Sequence, residues 1–253
     1  MSTFEYKSIL STLGDNGVRT IALNRPDSLN AMNRQLIDDV ALAFDDANAD
    51  EMTRAIIFTG KGCGFCAGDD RRNHVHPANE SEAREFVDAI QRATHSIVYG
   101  AKPVVGAING WAVGGGFEWA INCDFPIWGE SARAFFPEVS LNLFVTGAVT
   151  SLLPALVGLN KAREMLFLGE QYDAVTLLKM GVAWRVVSDD QLADEAEAVA
   201  AKLSALPPLS VRAMKRALNQ SAATDINAAL RCETEATITG FLDPETTERL
   251  KRF

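Results

Sequence analysis

Val104-Val105-Gly106-Ala107-Ile108-Asn109-Gly110-Trp111-Ala112-Val113-Gly114-Gly115-Gly116-Phe117-Glu118-Trp119-Ala120-Ile121-Asn122-Cys123-Asp124 is the stretch that decides the fold. After the helix-breaking Lys102-Pro103, the apolar run over 104–109 predicts a strand. Three consecutive glycines then let the backbone turn through positive φ, and 117–122 reads as a short apolar helix ending near Asp124. Strand, glycine turn and helix in that order are the parts of an α/β core.

Working outward, the same alternation recurs. Residues 18–23 read as a strand after the Asp15-Asn16-Gly17 turn, and 54–59 as another closed by Gly60-Lys61-Gly62. Between them Leu36, Ile37, Val40, Ala41 and Phe44 mark one face of a helix over 33–48. A polar loop through His76-Pro77-Ala78-Asn79 precedes a helix over 81–99 with Ser81 as N-cap. Downstream, 164–168 and 174–180 read as helices around a loop at 169–171, followed by a strand over 182–187. Beyond that, Ser188 and Gln191 have the spacing of a capping box for a helix over 192–206. Two more helical stretches, 210–221 and 226–241, carry no strand signal. The expected organisation is an α/β core at 1–188 and a C-terminal helical region at 189–253 that mediates oligomerisation.

The composition fits a soluble protein with a full-sized core. The chain has 253 residues, of which 47% are hydrophobic and 23% charged, and no apolar run reaches the roughly 18 residues of a membrane helix. Neither an export nor a transit pattern is visible at the N-terminus, so a cytoplasmic location is expected. The net charge of −9, without clustered Lys and Arg, excludes a nucleic-acid footprint. Cys63, Cys66, Cys123 and Cys232 are too irregularly placed for a disulfide scaffold.

Several residues invite a chemical reading. The Gly114-Gly115-Gly116 run opens a helix whose first N–H groups can receive an oxyanion, whereas the G-x-G-x-x-G spacing of a dinucleotide site is absent. A tight turn without ligand is the plain alternative. Cys63-Gly64-Phe65-Cys66 matches zinc and redox spacing but lacks a second pair, and His74 and His76 have no assignable carboxylate partner. No metal is expected, and small buried thiols in a turn explain the cysteines better. Glu118, between Phe117 and Trp119, and Glu138, after Phe135-Phe136-Pro137, sit in apolar company that raises a carboxyl pKa toward neutrality. Taken alone, each is more often a paired structural or surface carboxylate.

Six segments together resemble the crotonase (enoyl-CoA hydratase/isomerase) superfamily over nearly the whole chain. They are Leu23-Asn24-Arg25-Pro26 with Leu29-Asn30-Ala31-Met32, Phe65-Cys66-Ala67-Gly68-Asp69-Asp70, the 102–110 strand, Gly114 to Glu118, Cys123-Asp124, and Phe136-Pro137-Glu138. The resemblance implies a crotonase-like spiral of repeated ββα units, with a trimer or a dimer of trimers built through the C-terminal helices. It also implies an acyl-coenzyme A thioester as substrate, as in fatty acid metabolism, with coenzyme A arriving as part of the substrate and no separate cofactor. The backbone amides of Asp69 and Gly115 take the oxyanion-hole positions, and Glu118 and Glu138 the two acid–base positions. Ser28, Leu29, Ala31, Ala67, Gly68 and Asp70 fall along the coenzyme A wall, with Trp119 and Phe144 on the acyl pocket. Retention of both glutamates favours hydration of a 2-enoyl thioester. An isomerase using Glu138 alone is the alternative, a thioester hydrolase or decarboxylase is more remote, and a catalytically silent scaffold is the reading from another class.

The sequence departs from the family pattern after the second glutamate. There Asn142-Leu143-Phe144-Val145-Thr146-Gly147-Ala148-Val149 replaces a glycine- and proline-rich run, so Asn142, Phe144 and Thr146 are expected to reshape the pocket. The sequence given ends without a long basic tail, which leaves Arg25, Lys61, Arg71 and Arg72 as the expected phosphate contacts.

Overall fold

The computed structural model describes residues 6–72, 77–221 and 225–252. Its elements run β1 (Ile9–Leu13), β2 (Val18–Leu23), α1 (Arg34–Ala49), β3 (Ala55–Gly60), β4 (Gly64–Cys66), α2 (Glu80–Val98), β5 (Val104–Ile108), β6 (Trp111–Val113), α3 (Gly115–Asn122), β7 (Phe125–Gly129) and β8 (Arg133–Phe135). There follow α4 (Val149–Val157), α5 (Leu159–Leu168), β9 (Tyr172–Asp173), α6 (Ala174–Met180), β10 (Arg185–Val187), α7 (Leu192–Ser204), α8 (Pro208–Ser221), α9 (Ile226–Leu242) and α10 (Pro244–Arg252).

The strands divide between two sheets, of order β1-β2-β3-β5-β7-β10 and β4-β6-β8-β9. Strands β2 to β10 of the larger sheet are parallel, with β1 antiparallel on its edge. Successive units β3-β4-α2 and β5-β6-α3 each place one strand in each sheet before a helix returns, and β7-β8 continues the series. The chain therefore advances as a spiral of ββα turns.

Burial on both faces of the larger sheet explains why its strands read as near-continuous apolar runs. Along β3, Ile56 and Phe58 point into the main core with Phe44, Phe65, Trp119 and Trp128. The alternate residues Ala55 and Ile57 point the other way, onto Leu192, Ala196 and Val199 of α7. Helix α7, grouped by sequence with the C-terminal region, thus covers the back of the core sheet. Helix α8 is pinned by Lys215, whose ammonium, 4% exposed, pairs with Asp124 at 2.7 Å and donates to the carbonyls of Ile97 and Lys102. Val199, Ile238 and Phe241 of the C-terminal region are buried within the chain, whereas Leu209, Met214 and Leu218 on α8 remain exposed.

Local capping differs from expectation in two places. Helix α2 starts at Glu80 because Asn79, not Ser81, accepts the Glu82 N–H. Ser188 makes no side-chain cap; it precedes a 3-10 turn over Asp189–Gln191. Strands β4, β6, β8 and β9, of two or three residues each, are too short to carry a periodic signal and were not foreseen, and neither was α10.

Candidate active site

Gly114 sits at the N-terminus of α3 with φ +52° and ψ −121°, a conformation that side chains avoid. Its Cα also faces the Glu138 carboxyl so closely that a Cβ would collide with Oε1. Gly115 is the first residue of α3, so the helix itself offers no acceptor for its N–H, and the positive end of the helix lies there. One turn on, Glu118 projects from the same helix. Asp69 lies at the far side, bridged in parallel to Met32, with the Met32 N–H donating to the Gly68 carbonyl at 2.7 Å.

These groups border a chamber of about 80 Å³, whose walls include Asp69, Gly115, Glu118, Glu138 and Thr146 together with Met32, Ile37, Phe86, Ile90, Phe144 and Phe241. Asp69 and Glu138 also border a wider groove of about 390 Å³ lined by Leu29, Ala67, Gly68, Arg71, Trp111, Gly114, Phe135 and Leu250. A small apolar chamber and a longer groove thus meet at Asp69 and Glu138.

The two carboxyls are held differently. Glu118 is 2% exposed, and Thr146 donates its N–H to Oε1 at 2.8 Å and its hydroxyl to Oε2. Burial pushes the Glu118 carboxyl up to about 7, against the opposing pull of Thr146. Glu138 is 9% exposed, and its Oε2 has no hydrogen-bond partner. Burial, reinforced by the Glu118 charge, raises it well above the ordinary carboxylate range. The Thr146 donors favour the ionised form of Glu118, whereas Oε2 of Glu138 has no such donor.

Of the expected binding residues, Leu29, Ala67, Gly68 and Phe144 do line the groove or the chamber. Trp119 does not. It lies one position, or 100°, around α3 from Glu118, so it points into the core, fully buried against Phe58. Asp70 is 4% exposed and paired with Arg25 at 2.7 Å. Arg25 also donates to the Ala31 carbonyl, clipping the 26–31 loop to the 67–70 loop. Asp70, Ala31 and Arg25 therefore build the wall from behind instead of facing the groove. The Ser28 hydroxyl is turned to the Arg25 carbonyl at 3.1 Å. Arg71 lines the groove, and Lys61 and Arg72 are exposed.

Sequence reading did not find the contribution of the C-terminal helices. Phe241 and Thr237 of α9 roof the chamber and Leu250 of α10 borders the groove, with Phe241 packed edge-on to Phe86 at 5.6 Å. Thr246 donates to the Asn142 carbonyl at 3.1 Å, tying α10 to the turn after Glu138. A helical face of Ile238, Phe241 and Leu242 was the available signal, but it also fits plain packing. The cysteines split: Cys66 is buried in β4, where burial pushes its thiol up to about 12, and Cys63 is exposed instead of buried in a turn. Among the described residues no cluster of His, Cys, Asp and Glu could hold a metal ion; His74 and His76 lie outside them. No described helix is long and apolar enough to cross a membrane.

The sequence profile of the family described as enoyl-CoA hydratase/isomerase matches residues 14–250. The crotonyl-CoA hydratase of Syntrophomonas wolfei is 34% identical over 215 residues, covering 85% of this chain and 82% of that protein. The 1,2-epoxyphenylacetyl-CoA isomerase of Escherichia coli is 31% identical over 225 residues, covering 87% of this chain and 85% of that one. The crystal structure of an enoyl-CoA hydratase from Mycobacterium avium subsp. paratuberculosis superposes with a TM-score of 0.90 at 27% identity, covering 98% of this chain and 100% of that chain.

Proposed function

The chain belongs to the enoyl-CoA hydratase/isomerase family, an acyl-CoA-processing enzyme of crotonase fold, and from that premise we propose that it adds water across the double bond of a 2-enoyl-CoA thioester. The observation that carries this reading is the pair Glu118 and Glu138 on one chamber wall, one clasped by two donors and the other with an oxygen that has none. In the proposed reaction ionised Glu118 takes a proton from water as its oxygen bonds to C3. The electron pair displaced from the double bond gathers on the thioester oxygen, between the backbone N–H groups of Asp69 and Gly115. Neutral Glu138 then delivers its proton to C2. Glu118 ends protonated and Glu138 ionised, and one proton returned from the first to the second restores the starting state. An oxyanion formed at the head of α3 gains from both a fixed donor and the helix dipole.

The coenzyme A moiety is proposed to lie along the groove past Leu29, Ala67 and Gly68, with the acyl group in the chamber beside Phe144. The reaction draws on the chain's own groups and on no metal or redox cofactor, so a chelator leaves the rate unchanged. Self-association into a trimer, or two stacked trimers, is proposed through the exposed apolar residues of α8; a monomer mass by light scattering at micromolar concentration would overturn it.

Double-bond migration by Glu138 alone is the second reading, favoured by its oxygen without a partner. One experiment separates them. Crotonyl-CoA and a 3-enoyl-CoA are offered to the wild type and to Glu118→Gln. Hydration lost in the variant supports the first reading. Migration that survives in the variant, with no hydration by the wild type, establishes the second.

A further inference from the structure

A third buried carboxylate stands behind the pair. Glu233 of α9 is fully buried, a costly place for a charge without partners. Its Oε2 accepts the Ala148 N–H at 2.8 Å, and its Oε1 accepts the Thr150 N–H at 2.8 Å and the Thr150 hydroxyl at 2.6 Å. All these donors belong to the turn that opens α4. That turn is strained, with Gly147 at φ +68° and Ala148 at φ +56°, a region that an alanine occupies only when its surroundings hold it there.

The turn leads directly to Glu118. Thr146, the residue before it, supplies both donors to that carboxyl. Gly147 is packed so closely that a Cβ there would lie 2.7 Å from the Glu118 Cβ, and its carbonyl accepts Asn122 Nδ2 from α3 at 2.8 Å. A displacement of the turn therefore moves the donors that Glu118 depends on. A carboxylate suits the task because both of its oxygens only accept, whereas a glutamine would turn an N–H₂ toward one of the turn's N–H groups.

We infer that Glu233 is a positioning residue for Glu118: from the C-terminal helix it fixes the strained 147–150 turn and so sets where Thr146 presents its two donors. That Glu118 serves as base rests on the function proposed above; the placement of its carboxyl does not. Among the described residues, the titratable groups acting on Glu118 are Glu138 beside it, Glu233 behind it and the neutral thiol of Cys66.

The test is direct titration of Glu118 by carboxyl ¹³C NMR, assigned by loss of its signal in Glu118→Gln and repeated in Glu233→Gln. The two ways Glu233 could act have opposite signs. If it only contributes a neighbouring negative charge, its removal makes Glu118 easier to ionise and the titration moves down. If it positions Thr146, its removal costs Glu118 the Thr146 hydrogen bonds that favour the ionised form, each of which exceeds the charge of Glu233 in its effect on Glu118. The expected result is an upward move, with turnover lowered about tenfold and KM within about twofold. A downward or absent shift overturns the inference. Thr150→Val, which removes one donor and keeps the Glu233 charge, guards against a variant that does not fold and is expected to give a smaller upward shift; no shift there counts against the inference as well. Should the wild type turn over no enoyl thioester, the functional reading fails while the titration still decides the role of Glu233.

Discussion

Thr146 grips Glu118 by both oxygens, the backbone N–H on Oε1 and the hydroxyl on Oε2. Both donors favour the charged form, against burial that favours the neutral one. Thr146→Val keeps the N–H and the shape but deletes the hydroxyl. The acidic limb of the hydration profile is expected to move up by roughly 0.5–1 pH unit, with turnover at neutral pH reduced about tenfold. A pH–rate series on crotonyl-CoA checks this; an unmoved limb would mean that the hydroxyl does not tune Glu118.

The pH dependence of the wild type follows from the signs of two shifts. In the proposed hydration Glu118 must be ionised, and burial places its titration at about 7. Glu138 must be protonated, and burial with the Glu118 charge holds it well above the ordinary carboxylate range. Hydration should rise with pH through about 7 and fall only at higher pH, as Glu138 loses its proton. A rate already at its plateau at pH 5 contradicts the assignment of Glu118 as base.

Stability should run the other way. A carboxyl whose folded pKa is raised above its unfolded value contributes stability that is fully present below the unfolded value and lost as pH rises through the folded one. Glu118, Glu138 and Glu233 are all of this kind. Glu138→Gln removes a buried group whose ionisation opposes folding, so at pH 8 it should be more stable than the wild type by about 1 kcal/mol, or roughly 2–4 °C in Tm. The difference should shrink toward pH 5. Calorimetry at the two pH values measures it, and equal melting points at pH 8 would refute it.

Two substitutions at Gly115 separate hydrogen bonding from space. Gly115→Pro deletes the N–H at a helix position that tolerates proline, and is expected to lower turnover about 10²–10³-fold with a lesser effect on affinity. Gly115→Ala retains the donor; its Cβ would lie 2.6 Å from Sδ of Met32, a flexible side chain. A loss under tenfold is expected. Equal losses in both would assign the effect to crowding instead of to the oxyanion.

The chamber, of about 80 Å³, is much smaller than the adjoining groove and is closed by Ile37, Phe86, Ile90, Phe144 and Phe241. Short enoyl groups should therefore be turned over best, with kcat/KM falling at least tenfold between four- and eight-carbon substrates. Phe144→Ala, which opens a wall that is already 37% exposed, should narrow that gap. A rate that rises with chain length in the wild type would sink the prediction.

How far the sequence reached depended on element length and on partners. Val18–Leu23 and Ala174–Met180 have the bounds expected of them, since six or seven residues between turn signals carry a readable pattern. Trp111–Val113 and Arg133–Phe135 do not, although they form the second sheet. At the site, the positions of Gly115, Glu118 and Glu138 were legible through the family resemblance. Trp119 was misplaced although the 100° step of a helix separates it from Glu118. Glu233 was invisible because a glutamate on a helix looks like surface until its partners, 83 and 85 residues away in sequence, are known. Arg25 and Asp70 lie 45 residues apart, and only folding shows that they neutralise each other.

The α9 residues Thr237 and Phe241 that roof the chamber come from the same chain as the glutamates beneath them. In any assembly the protein forms, the two proposed acid–base groups of a site thus belong to one subunit. Mixed oligomers should be arithmetically simple: combining Glu118→Gln chains with Glu138→Gln chains yields no restored turnover. Wild-type chains diluted into either variant should keep activity in proportion to their number. A site shared across a boundary would instead regenerate some intact pairs by complementation.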